Sequence, residues 1–154
     1  MSARQRLEEL GLTLPSVVPP VAAYVPAVRT GNLVWTSGQL PMVEGNLPAI
    51  GKVGGQVSAE QAKELARTCA LNALAAIDAL VGIDSVVRVV KVVGFVASSP
   101  EFTGQPAVIN GASELLGEVF GDAGRHARSA VGVAVLPLDA PVEVEVVVEV
   151  TPEG

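Results

Sequence analysis

Residues 142–150, "VEVEVVVEV", alternate valine with glutamate almost without a break. An extended chain points successive side chains to opposite faces, so Val142, Val144, Val146, Val148 and Val150 share one face and Glu143, Glu145 and Glu149 the other. Such a segment is a strand with one face on a core. A second valine-dense segment, "SVVRVVKVVGFVAS" at 85–98, lies between Asp84 and Pro100 and also reads as strand. Its paired valines put apolar groups on both faces, which marks an interior position in a sheet. Helices can cover one face. Monomers rarely leave large apolar patches open, so the other face predicts a symmetric homo-oligomer.

The remaining elements follow from periodicity and punctuation. Pro15, Pro19, Pro20 and Pro26 deny helix to residues 11–27, so residues 1–20 are expected to be an extended N-terminal segment. "RTGN" at 29–32 reads as a hairpin turn. Residues 38–55, rich in glycine and proline, read as a loop. Ser58 and Gln61 form a capping-box pattern, after which Ala62, Leu65, Ala66, Cys69, Ala73, Ala76, Ile77 and Leu80 recur at helical spacing as far as Gly82. A second helix is expected from about Pro106 to Gly121, with Val108, Ala112, Leu115, Leu116 and Val119 on its apolar face. Residues 129–136 form the strand before 142–150. The order is strand, strand, helix, strand, helix, strand, strand across residues 1–154, which predicts one α+β domain, a mixed sheet with two helices on one face.

Composition narrows the function. Net charge is −6 with only three lysines, and the aromatics are Tyr24, Trp35, Phe95, Phe102 and Phe120 alone. That argues against nucleic acid, which needs a basic stripe and stacking platforms. The first ten residues carry four charges and no apolar run, and no window reaches membrane-spanning length, so no membrane partner and a cytoplasmic location are expected. One His and one Cys cannot build a His/Cys zinc site. Cys69 sits in the apolar stripe of a helix and reads as a core residue.

No GxSxG, P-loop, HExxH or CxxC pattern is present. What remains is "GRHARSAVGV" at 124–133, a positive cluster in an acidic chain. Arg128 enters a strand there, and a guanidinium fork matches a carboxylate with two parallel hydrogen bonds. His126, two residues earlier on an extended chain, either shares that cleft or is a structural hydrogen-bonding residue. Arg125 reads as solvated. If 129–136 and 142–150 form a hairpin, Arg128 and Glu143 lie at opposite ends, roughly 20 Å apart. A site using both then needs two subunits.

Three blocks, "YVPAV.TGNLVWTSGQLP", "FT.QPAVINGASELLGEVFG" and "ARSAVGVAVLPLDAPVEVEVVVEV", together resemble the Rid family of reactive-intermediate deaminases, also called YjgF or endoribonuclease L-PSP proteins. The likeness spans Tyr24 to Val150, and "GRHARSAVG" resembles a branch described as chorismate-mutase-like. The resemblance implies a chorismate-mutase-like fold, a homotrimer and ligand clefts between subunits. It implies hydrolysis of 2-imino or enamine acids to 2-keto acids and ammonia without a cofactor or a metal. Arg128 then matches the arginine that binds the substrate carboxylate, and Glu143 the glutamate that handles the water. Tyr24, the run Ser37, Gly38 and Gln39, and Asn110 match cleft residues, and His126 joins them as a candidate. Ala130 replaces a cysteine of the archetype, and His126 is not an archetypal feature. The alternatives are a non-catalytic trimer that binds small carboxylates or other proteins, and a ribonuclease, against which the charge and sparse aromatics argue.

Overall fold

A computed structural model describes residues 1–17 and 22–153; the expected extended positions Pro19 and Pro20 lie outside the described residues. Helix α1 spans Ala3–Glu9, strands β1 and β2 span Ala27–Thr30 and Leu33–Thr36, and helix α2 spans Ala59–Val81. Strand β3 spans Val86–Ala97, helix α3 Gln105–Phe120, strand β4 Ala127–Val133 and strand β5 Val142–Val150. The strands form one sheet in the order β1-β2-β5-β3-β4. Among the described strands β3 and β4 pair in parallel, with α3 as the crossover that a parallel pair requires. This is the expected α+β mixed sheet.

Valine alternation sets the layering. Val142, Val144, Val146, Val148 and Val150 of β5 are at most 1% exposed, while Glu143, Glu145 and Glu149 are only partly buried on the other face. The buried row packs with Val34, Val89, Val92 and Val96 beneath Ala66, Cys69, Ala73 and Ile77 of α2 and Ile109, Ala112, Leu115 and Leu116 of α3. The helices approach closely because the contacts are small. A Cβ on Gly111 would lie 1.9 Å from the Lys63 carbonyl oxygen, so only glycine lets α3 meet α2 there. Leu80, expected on the buried stripe, is exposed and lines an open groove with Val25 and Pro26.

The opposite face carries Val28, Trp35, Val93, Phe95, Val131 and Val147, placed in register across the strands. Val28, Trp35 and Val131 are each about half-exposed, at 51%, 49% and 44%. Among the described residues no helix is long and apolar enough to cross a membrane.

Three expectations are corrected. The N-terminus is not extended throughout: residues 3–9 are helical because Ser2 and Gln5 cap each other reciprocally and Leu7 is buried. At Ser58 only half of that pattern forms, the Gln61 amide donating to Ser58 Oγ at 3.1 Å. The last two strands are not a hairpin. β4 ends at Val133, and residues 134–141 carry the chain past β3, which lies between β4 and β5.

Candidate functional site

β4 is an edge strand with α3 running along it, and Arg128 pairs with buried Val92, which turns its side chain toward α3. Nη1 of Arg128 donates to Asn110 Oδ1 at 2.8 Å and Ser113 Oγ at 3.2 Å, and Nη2 donates to the Pro106 carbonyl at 3.4 Å. Residues 106, 110 and 113 are one helix face, at steps of four and three. The three acceptors are neutral. Seven of the ten basic residues, Arg4, Arg6, Arg29, Lys52, Lys63, Arg67 and Arg125, have a carboxylate within 4.0 Å. Among the described residues Arg128 has none, and its Nε–H and one Nη2–H have no protein acceptor there.

His126 stands beside this group. Its Nδ1 lies 2.6 Å from the Gly124 carbonyl, which can only accept, so Nδ1 carries the hydrogen. In the neutral ring Nε2 is then the acceptor for Ser113 Oγ at 2.8 Å. Ser113 thus gives its proton toward His126 and receives one from Arg128. Arg125 is solvated, as expected, with Asp122 at 3.9 Å. Ala130 lies opposite Gly94, one pleat beyond Arg128 on the same face.

Glu143 belongs to a second group. A Cβ on Gly38 would sit 2.2 Å from Glu143 Oε1, so the glycine is what leaves room for the carboxylate. Gln39 and Val144 exchange both backbone hydrogen bonds, at 2.8 and 3.0 Å, and Ser37 Oγ donates to the Val25 carbonyl at 2.6 Å. Ser37–Gln39 therefore straps the segment leading into β1 to the start of β5. Gln39 folds back, Nε2 donating to the Ser37 carbonyl. Tyr24 is mostly exposed on the approach to β1. Burial raises the Glu143 carboxyl above the usual glutamate range, and the Glu145 carboxylate raises it further.

The two groups do not meet within one chain. Arg128 is in register with Val92 and Glu143 with Phe95, three residues along β3 and on opposite sides of it. Two strand spacings and three residue rises give a separation of roughly 14 Å, less than a hairpin would give. An odd offset also puts the side chains on opposite faces of the sheet. Arg128, Asn110 and His126 come together; Ser37, Gly38, Gln39 and Glu143 come together; Tyr24 stands nearer the second set. An apolar groove of about 530 Å³ lined by Val25, Pro26, Ala76 and Leu80 contains none of the candidates.

Ser113 escaped the sequence reading. Its one signal was the spacing to Asn110, a polar pair three residues apart in a helix whose other face is apolar.

The sequence profile named Endoribonuclease L-PSP matches residues 14–150. The chain is 44% identical to "Protein TCP17" of Trypanosoma cruzi over 145 residues, which is 93% of this chain and 91% of that protein. It superposes on the crystal structure of Atu1372, a protein of unknown function from Agrobacterium tumefaciens, with a TM-score of 0.89 and 48% identity, covering 97% of this chain and 92% of that one. It also resembles the crystal structure of E. coli TdcF with bound serine, with a TM-score of 0.59 and 26% identity over 89% of this chain and 93% of that one. With the profile matching nearly end to end, the chain belongs to the Endoribonuclease L-PSP family.

Proposed function

We propose that this protein hydrolyses small 2-imino acids, formed from enamines such as 2-aminoacrylate, to 2-keto acids and ammonia, without a cofactor, in clefts between the subunits of a homotrimer. The observation that carries the reading is the Arg128 fork, a half-buried guanidinium held by three neutral acceptors with no carboxylate of its own. Every 2-imino acid supplies that carboxylate, and the serine bound to TdcF is likewise a small molecule that carries one.

The chemistry asks for little more. An iminium carbon is already electrophilic, so anchoring the adjacent carboxylate places it, and the remaining needs are a water and a proton carrier. Glu143, with its carboxyl pushed up by burial, takes a proton from the attacking water and returns one to the departing nitrogen. Water adds to carbon, the carbinolamine hydroxyl loses its remaining proton as the carbon–nitrogen bond breaks, and the keto acid forms as ammonia leaves with that proton as ammonium. Arg128 and Glu143 lie on opposite faces of one sheet, so the Arg128 group of one subunit would face the Glu143, Gly38 and Tyr24 group of its neighbour. The half-exposed Val28, Trp35 and Val131 and the unpaired edge of β4 favour such an assembly.

The test couples a serine dehydratase, which releases 2-aminoacrylate, to this protein and follows formation of the keto acid. Acceleration that Arg128→Ala abolishes supports the proposal; no acceleration contradicts it. A second reading is a carboxylate binder without turnover, favoured by the completeness of the Arg128 group in a single chain. Calorimetry with 2-keto acids separates the two, since saturable binding with no acceleration of imine hydrolysis selects the binder. Ribonuclease activity, which the family's name suggests, fits poorly with a net charge of −6.

A further inference from the structure

Ser113, His126 and the Gly124 carbonyl form a line of hydrogen bonds that carboxylate anchoring does not require. Ser113 Oγ is 2.8 Å from His126 Nε2, and His126 Nδ1 is 2.6 Å from the Gly124 oxygen. Since the carbonyl fixes the hydrogen on Nδ1, the neutral ring can only accept from Ser113. A hydroxyl bonded to an imidazole that a third group orients is the arrangement by which serine becomes a nucleophile. The third group is itself fixed. A Cβ on Gly124 would lie 2.4 Å from the Leu116 carbonyl oxygen, so this backbone is pressed against α3. Arg128 Nη1 lies 3.2 Å from the same Oγ and so places a cation beside the attacking oxygen. Ser113 and His126 are both half-buried and so reachable from solvent.

We propose that Ser113 is a nucleophile with His126 as its base, and that this site hydrolyses small activated esters carrying a carboxylate. Arg128 selects them: its Nη1 edge holds Ser113 while the opposite Nε/Nη2 fork takes the carboxylate, so the acyl carbon must lie within a few bonds of it. Half-esters of three- and four-carbon dicarboxylic acids meet that condition. Oγ attacks the acyl carbon and its proton passes to Nε2. The bond to the leaving oxygen breaks, and that oxygen takes the proton from Nε2, leaving an ester on Ser113. Water then attacks the same carbon, His126 takes its proton, and Oγ leaves and recovers it. The sum is ester plus water giving acid plus alcohol.

The full-length protein in its native assembly is treated with a fluorophosphonate and mapped by peptide mass, and release of 4-nitrophenol from mono-4-nitrophenyl succinate is followed beside 4-nitrophenyl butyrate. One label per chain on Ser113 is expected. Ser113→Ala takes none, and His126→Gln labels at least a hundredfold more slowly. The succinate is preferred at least tenfold, a preference that Arg128→Ala removes. No label on Ser113, or labelling of His126→Gln at the parent rate, overturns the proposal. So does a Ser113→Ala variant that merely weakens carboxylate binding in a protein that never labels, for then the pair only positions Arg128. Should His126→Gln not fold, Ser113→Cys reads the same pairing: its thiol, followed by peptide mass apart from Cys69, which is buried only in the fold, should react with iodoacetamide at least tenfold faster than in the unfolded chain, and equal rates also overturn it. Labelling needs no imine, so the outcome is independent of deaminase activity.

Discussion

A guanidinium offers five N–H donors, and at Arg128 three are directed at Asn110, Ser113 and the Pro106 carbonyl, which leaves two for a ligand. Binding a carboxylate with two charge-assisted bonds is worth a few kcal/mol, so Arg128→Ala should lower kcat/KM for imine hydrolysis about a hundredfold, or about 2.7 kcal/mol. Arg128→Lys keeps the charge without the fork and should recover only part of that loss. Steady-state kinetics on both variants checks this. Glu143 predicts a pH effect. Its folded-state carboxyl titrates above its unfolded value, so its contribution to stability is full below the ordinary glutamate range and is lost as pH rises through the raised value. Glu143→Gln should therefore melt at a higher temperature than the parent at pH 7.5, with the gain shrinking toward pH 4. An equal gain at both pH values contradicts the assignment.

At the scale of elements, the contact between α2 and α3 depends on Gly111 and the space for Glu143 on Gly38. Gly111→Ala forces a methyl onto the Lys63 carbonyl and should cost about 2 kcal/mol, lowering Tm by roughly 4–8 °C in a chain of this size. Gly38→Ala should leave Tm nearly unchanged but displace the Glu143 carboxylate, lowering kcat more than it raises KM. Thermal melts and kinetics on the two variants separate these roles. Both helices and the strand 85–98 were readable because their signals are local: a cap at Ser58, a stop at Gly82, valines on both sides of β3. The pairing of β4 was not. "PLDAP" between two strands suggests a hairpin, yet Leu138 and Asp139 both take positive φ, near 60°, and the connection runs past β3 instead. Strand order depends on contacts between residues far apart in sequence, which no local pattern records. The helix at residues 3–9 was legible in principle, since Ser2 and Gln5 repeat the spacing of Ser58 and Gln61.

For the whole molecule the decisive feature is the division of the candidates between two places. The roles of Glu143, Asn110 and Ser37–Gln39 follow from family likeness, whereas chemistry alone singles out only the arginine cluster around Arg128. The links among Ser113, His126 and Arg128 were invisible, because hydrogen bonds between a helix and the strand that follows it leave no spacing rule. The open face also carries its own prediction. Val131→Asp puts a charge among Phe95, Val93 and Glu143 on that face and, if the proposed trimer forms through it, should shift the sedimentation-equilibrium mass from three chains toward one, with loss of imine hydrolysis. The most direct test of the account mixes two inactive proteins, Arg128→Ala and Glu143→Gln, after reversible dissociation. If each cleft takes Arg128 from one subunit and Glu143 from its neighbour, mixed trimers contain clefts with both residues intact, and 2-aminoacrylate hydrolysis should return to roughly a quarter of the parent rate. Mixed trimers as inactive as either variant alone would contradict it.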